Sequence, residues 1–156
     1  MQVSADTGEP AQGRSVLVVD DDDDIRGAVQ EVLEGEGYTT VGASNGKEAL
    51  DVMRTSTKLP ALVLLDLMMP EMDGWELLVR MDEDPTLHRV PVALMSAHPS
   101  IRKAFDSDHR NHRMESSLLL PKPLNLLRLL SLVHSIVPEA NDNADDSKVG
   151  SGEEND

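Results

Sequence analysis

The run Ala61–Asp66 (ALVLLD) constrains the fold more than any other stretch of the chain. It is rich in leucine, shows no polar alternation and ends abruptly in an acid. A strand of that kind is apolar on both sides, so both faces of its sheet must be covered, as in parallel sheets flanked by helices. The neighbouring segments agree. Ser15–Asp20 (SVLVVD) reads as a second buried strand, Tyr38–Val41 as another, Val92–Met95 as a fourth and Leu118–Leu120 as a fifth. Between them the period changes. From Asp22 onward Ile25, Val29, Val32 and Leu33 share one helical face, and Gly35 and Gly37 stop the helix. Asn45 is placed to cap a helix through Ala49, Leu50 and Met53, Asp73-Gly74 opens one bearing Leu77, Leu78 and Met81, and Asn125–Val137 forms the last. Strands alternating with helices through short links predict an α/β fold: a five-stranded parallel sheet, doubly wound, with helices on both faces.

Only Tyr38, Trp75 and Phe105 are aromatic, so the core must be built from Leu, Val, Ile and the eight methionines. There is no cysteine, which excludes a disulfide scaffold, a thiolate metal site and a cysteine nucleophile. The formal net charge of −15 excludes nucleic-acid binding through bulk electrostatics. No apolar segment follows a basic start at the N-terminus, and the longest apolar stretch, 59–70, is interrupted by Asp66. No membrane span and a cytoplasmic location are therefore expected. Residues 1–14 and the acidic stretch 138–156, with seven acids and one lysine, carry too few apolar side chains to offset ordering entropy, and both are expected to be disordered tails around a domain at 15–137.

In an open parallel sheet, function gathers at the carboxyl ends of the strands. Those ends carry Asp20-Asp21, then Asp66, then Ser96, then Lys122, while Gly42-Ala43-Ser44 after the second strand offers little. Clustered carboxylates repel one another unless a cation sits among them. Oxygen ligands with few protein donors suit Mg²⁺. A nearby lysine would neutralise phosphoryl oxygens, and a serine hydroxyl would donate to one of them. One carboxylate would then be the nucleophile, so the set points to phosphoryl transfer onto an aspartate.

The segments VLVVDDDDDIR, LVLLDLMMPEMDGWELL, VPVALMSA and LPKPL resemble the motif blocks of two-component response-regulator receiver domains, over about residues 15–137. The resemblance implies a flavodoxin-like sheet of order 2-1-3-4-5. It makes Asp66 the phosphoacceptor, with Asp20 and Asp21 holding Mg²⁺, Asp21 directly and Asp20 mainly through water. The backbone carbonyl of Met68 would add a ligand alongside Asp66, Ser96 would be the switch hydroxyl, and Lys122 would contact the phosphoryl group from a cis Lys122–Pro123 peptide. The implied protein is a stand-alone signalling module, not a metabolic enzyme. It would take its phosphoryl group from a sensor histidine kinase or a histidine phosphotransfer protein and act on a separate downstream protein.

The sequence departs from the family pattern in places. Leu119 stands where the family usually has an aromatic residue, so a rotating ring cannot report phosphorylation. Ser96 and Lys122 are 26 positions apart, more than is common, and the polar stretch 106–113 implies a short or irregular fourth helix. Met68 and His98 fall where the family tunes hydrolysis, and an apolar Met68 is expected to exclude the attacking water. Leu119 and the altered stretch before the fifth strand support an alternative, a degenerate receiver acting as a phosphorylation-independent scaffold. A minor alternative is a haloacid-dehalogenase-like phosphatase with Asp20 as nucleophile and Asp22 as acid/base. The run 20–24 also imitates a calcium loop, but Ile25 stands where its sharp turn needs glycine. Asp22–Asp24 read instead as an acidic helix start. His109 and His112, though spaced to hold a metal, read as solvent-exposed, and Met68, Met69 and Met72 as loop packing. Finally, the last helix is apolar on two sides through Leu126, Leu127, Leu129, Leu130, Leu132, Val133, Ile136 and Val137, which predicts a contact surface for a partner or for a homodimer.

Overall fold

The computed structural model describes residues 14–69, 72–97 and 118–137. Five strands and four helices lie in these stretches: β1 (Ser15–Val19), α1 (Asp23–Gly35), β2 (Thr39–Ala43), α2 (Gly46–Thr55), β3 (Leu62–Asp66), α3 (Gly74–Glu83), β4 (Val92–Ser96), β5 (Leu118–Pro121) and α4 (Leu126–Ile136). The strands form one sheet in the order β2-β1-β3-β4-β5, and every pairing is parallel. β3 is central, and all five of its residues are buried, as its unbroken apolar run requires. The second strand runs two residues further than expected and starts one later, because pairing with β1 extends through Val18↔Gly42 and Val19↔Ala43. The expected tails, the irregular fourth helix, His98, His109 and His112 lie outside the described residues.

Two apolar layers cover the sheet. On one face Leu17, Val63, Leu65 and Leu94 pack against Leu50 and Met53 of α2 and Leu77, Leu78 and Met81 of α3. On the other, Val16, Val18, Leu62, Leu64 and Met95 pack against Val29 and Leu33 of α1 and Leu129 and Val133 of α4. Each helix starts on a side-chain cap. Asp22 accepts from the amides of Asp24 and Ile25, Asn45 from Glu48, Asp73 from Glu76 and Asn125 from Arg128. Asp23 and Asp24 then sit in the first turn of α1, where the helix dipole favours negative charge.

Two glycines let the loops at the carboxyl edge close on each other. A Cβ on Gly74 would lie 2.6 Å from the backbone oxygen of Asp66, and one on Gly46 would lie 2.6 Å from that of Met72. Both obstacles are backbone atoms, so glycine is required for α2 and α3 to begin this close to the end of β3. The methionine prediction holds in part. Met69 is buried and Met72 packs on the core, whereas Met68 is 54% exposed because it stands out from the turn after β3.

Candidate functional site

The ladder hydrogen bonds run one step past the strands and place the polar residues at the edge. The Asp20 amide donates to the Ala43 carbonyl at 3.1 Å, that of Leu67 to Met95 at 3.2 Å, and that of Lys122 to Ser96 at 2.8 Å. Asp20, Asp66 and Ser96 are consequently buried at neighbouring strand ends, and Lys122 reaches them after β5. The Lys122 Nζ lies 2.9 Å from Asp20 Oδ2 and 3.5 Å from Asp66 Oδ2. The remaining oxygen of each carboxylate receives a backbone amide: Asp22 donates to Asp20 Oδ1 at 2.9 Å and Met68 to Asp66 Oδ1 at 3.2 Å. The Lys122–Pro123 peptide is cis.

Asp21 completes the group from the solvent side. One carboxylate oxygen from each of Asp20, Asp21 and Asp66 lies within 4.8 Å of the others, the one such metal-competent cluster among the described residues. Three carboxylates against one ammonium leave an excess of two negative charges, which a divalent cation would cancel. The donor set, all hard oxygens with one ligand open to water, fits Mg²⁺.

Burial raises the pKa of Asp66 to about 6, the Asp20 charge pushes it the same way, and Lys122 with the Met68 amide opposes the rise. For Lys122, burial disfavours the ammonium, but the hydrogen bond to Asp20 and the charges of Asp66 and Asp20 outweigh it, so its pKa is raised. The edge therefore holds repelling carboxylates that a single lysine only partly compensates.

The chain matches the model of the response regulator receiver domain over residues 16–134. It belongs to that family. The sporulation initiation phosphotransferase F of Bacillus subtilis is 33% identical over 126 residues, covering 79% of this chain and 93% of that protein. The polar-differentiation response regulator DivK of Brucella anthropi is 28% identical over 128 residues, covering 81% and 98%. A response regulator receiver protein from Pseudomonas putida superposes with a TM-score of 0.69 at 28% identity, covering 80% and 98%. The sheet order is that of the flavodoxin-like receiver fold, and the receiver is a two-component signalling domain.

The receiver's predicted residues come together: Asp20, Asp21, Asp66 and Lys122 by direct proximity, Ser96 at the adjacent strand end, and Met68 through its amide. Leu119 is partly buried and packs on the core below the site, an aliphatic filler where a ring was expected in the family. Asp20 is fully buried with both oxygens engaged, and the match to the receiver family does not favour the phosphatase alternative that made it the nucleophile. Sequence reasoning passed over Arg26. Its guanidinium donates to the Asp20 carbonyl at 2.8 Å, and its place six residues beyond Asp20, one helical turn back from the edge, was the available signal.

Proposed function

We propose that this receiver accepts a phosphoryl group on Asp66 from a phosphohistidine donor, a sensor histidine kinase or a phosphotransfer protein. One observation carries the reading: Asp66 and Asp20 share the single ammonium of Lys122 at the sheet edge, with Asp21 completing the trio. Asp20, Asp21, Asp66 and the Met68 carbonyl would hold Mg²⁺, which when bound would draw charge from the phosphoryl oxygens and favour the ionised Asp66. An Asp66 oxygen attacks phosphorus in line, the P–N bond to the donor imidazole breaks, and an aspartyl phosphate forms. Lys122 already lies between the carboxylates, so it can follow the charge onto the phosphoryl oxygens, and the Ser96 hydroxyl donates to another of them. The exposed Met68 side chain covers the approach of water and slows hydrolysis. Movement at Ser96 shifts a pre-existing surface equilibrium read by a separate protein. The role is signalling in the cytoplasm and not metabolic catalysis.

The test is intact mass after incubation with acetyl phosphate and Mg²⁺. An adduct of one phosphoryl group is expected on the wild type, absent without Mg²⁺ and absent in Asp66→Ala. If no adduct forms and the phosphoryl mimic beryllofluoride also fails to bind, the acceptor reading is wrong and the chain is a docking module with a receiver's shape.

A further inference from the structure

The aspartate run 20–24 is sorted by its partners. Asp20 faces inward onto Lys122 and the Asp22 amide, Asp22 caps α1, and Asp23 Oδ1 accepts from Arg26 Nη2 at 2.6 Å. Among the described residues no donor meets the exposed Asp21 carboxylate. One side chain holds this arrangement from outside the edge. Arg26 Nη1 donates to the backbone carbonyl of Asp20 at 2.8 Å while Nη2 takes Asp23, so a single planar fork ties the loop to the first turn of α1. The side chain is only 20% exposed. Its stem crosses β2 at Gly42, where a Cβ would lie 3.2 Å from both Arg26 Cδ and Nε and 2.8 Å from Gln30 Oε1. Gln30 is itself held by its hydrogen bond to Thr40 at 3.0 Å. The residue that seemed to offer little at the end of the second strand is the gap through which the arginine reaches the loop.

We propose that Arg26 is a positioning residue for the metal-binding carboxylates: by fixing the Asp20 carbonyl it holds Asp20 turned inward and Asp21 turned outward, with Gly42 providing its path. The inference rests on the reading of Asp20, Asp21 and Asp66 as a Mg²⁺ site. Its sign distinguishes it from a charge effect. A cation beside the edge repels Mg²⁺, so if Arg26 acted by charge alone, Arg26→Ala would tighten metal binding and Arg26→Lys would leave it unchanged. Positioning predicts the reverse. Loss of an outer partner of a metal ligand typically weakens affinity about tenfold or more. Lysine, a point donor, cannot reproduce the two-acceptor fork.

The experiment titrates the full chain with Mg²⁺ by calorimetry, with the fluorescence of Trp75 as a parallel readout, for wild type, Arg26→Ala, Arg26→Lys and Gly42→Ala. Expected is a rise in Kd of about tenfold for Arg26→Ala, a clear rise for Arg26→Lys, and a smaller one for Gly42→Ala. In the metal-free protein, exchange of the Asp22 amide, read by NMR, should accelerate in both Arg26 variants. Tighter or unchanged binding in Arg26→Ala, or unchanged Asp22 exchange, overturns the positioning role alone. A wild type that binds no Mg²⁺ overturns the metal reading and the positioning role with it.

Discussion

The middle of β3 and its last residue lie a few ångströms apart and obey opposite rules. Leu62, Val63, Leu64 and Leu65 are fully buried in apolar layers, so each contributes to holding the sheet. Asp66 is buried almost as deeply, beside a second buried carboxylate, and its ionisation works against folding. The strand body and the strand end therefore differ in what burial does. For leucine it removes apolar area from water. For Asp66 it removes hydration that Lys122 and the Met68 amide replace only in part. The edge is a place of electrostatic tension held by the rest of the sheet, as the proposed binding of a cation and a phosphoryl group would require.

The largest expected effect belongs to the strand body. Leu65→Ala removes a fully buried side chain that packs with α2 and α3, and should cost about 3–4 kcal/mol in urea unfolding. A loss below 1 kcal/mol would mean the layer can collapse around the cavity and that the strand body holds the sheet little more than its end does. At the edge, Lys122→Met keeps the stem but strips the ammonium from two buried carboxylates, and should cost about 3 kcal/mol at pH 8 without metal. That cost should shrink as pH falls through about 6, because protonation of Asp66 relieves the uncompensated charge.

Asp66→Asn should move stability the other way. The folded pKa of Asp66 is raised to about 6 from an ordinary 3.8. The protonated form thus favours the fold below pH 4, and that contribution is lost as pH rises through 6. Asparagine has no such loss. In EDTA the variant should exceed the wild type by on the order of 1–3 kcal/mol at pH 8, with the difference closing between pH 6 and 4. Equal stabilities at pH 8 would show that Asp66 is not under tension in the folded chain. Adding Mg²⁺ should narrow the gap by stabilising the wild type.

The same contrast explains what could be read from the residues in order. The body of the sheet was legible because burial on both faces writes an unbroken apolar run, as in 61–66, and because Asp22, Asn45, Asp73 and Asn125 announce helix starts by capping chemistry. The polar residues at the edge were legible by their shared position at strand ends. What was not legible depends on paths between distant residues. Nothing local marks Gly42 as the passage for Arg26, and glycine after a strand reads as a turn until the arginine stem is seen beside it. Likewise the hydrogen bond between Tyr38, just before β2, and His134 of α4 at 2.6 Å joins residues 96 positions apart. The methionine segment misled for the opposite reason: three similar residues in one short stretch have three different exposures, set by which way the turn faces.

Leu127 gives the smallest effect and the sharpest control, since it is as apolar as Leu65 but belongs to neither region. On α4, Leu129 and Val133 are buried against the sheet, while Leu126 is 47% and Leu127 79% exposed. Its apolar surface does no work inside the chain. Leu127→Glu should therefore change unfolding stability by less than about 0.5 kcal/mol and leave phosphoryl acceptance intact. If α4 meets a second copy, light scattering should find the wild type associated and the variant monomeric; a wild type monomeric in both phosphorylation states removes the homodimer and leaves this surface to a different protein. A stability loss of 2 kcal/mol or more would instead place Leu127 in the core, so that burial as seen here would no longer separate residues that hold the sheet from those that face outward.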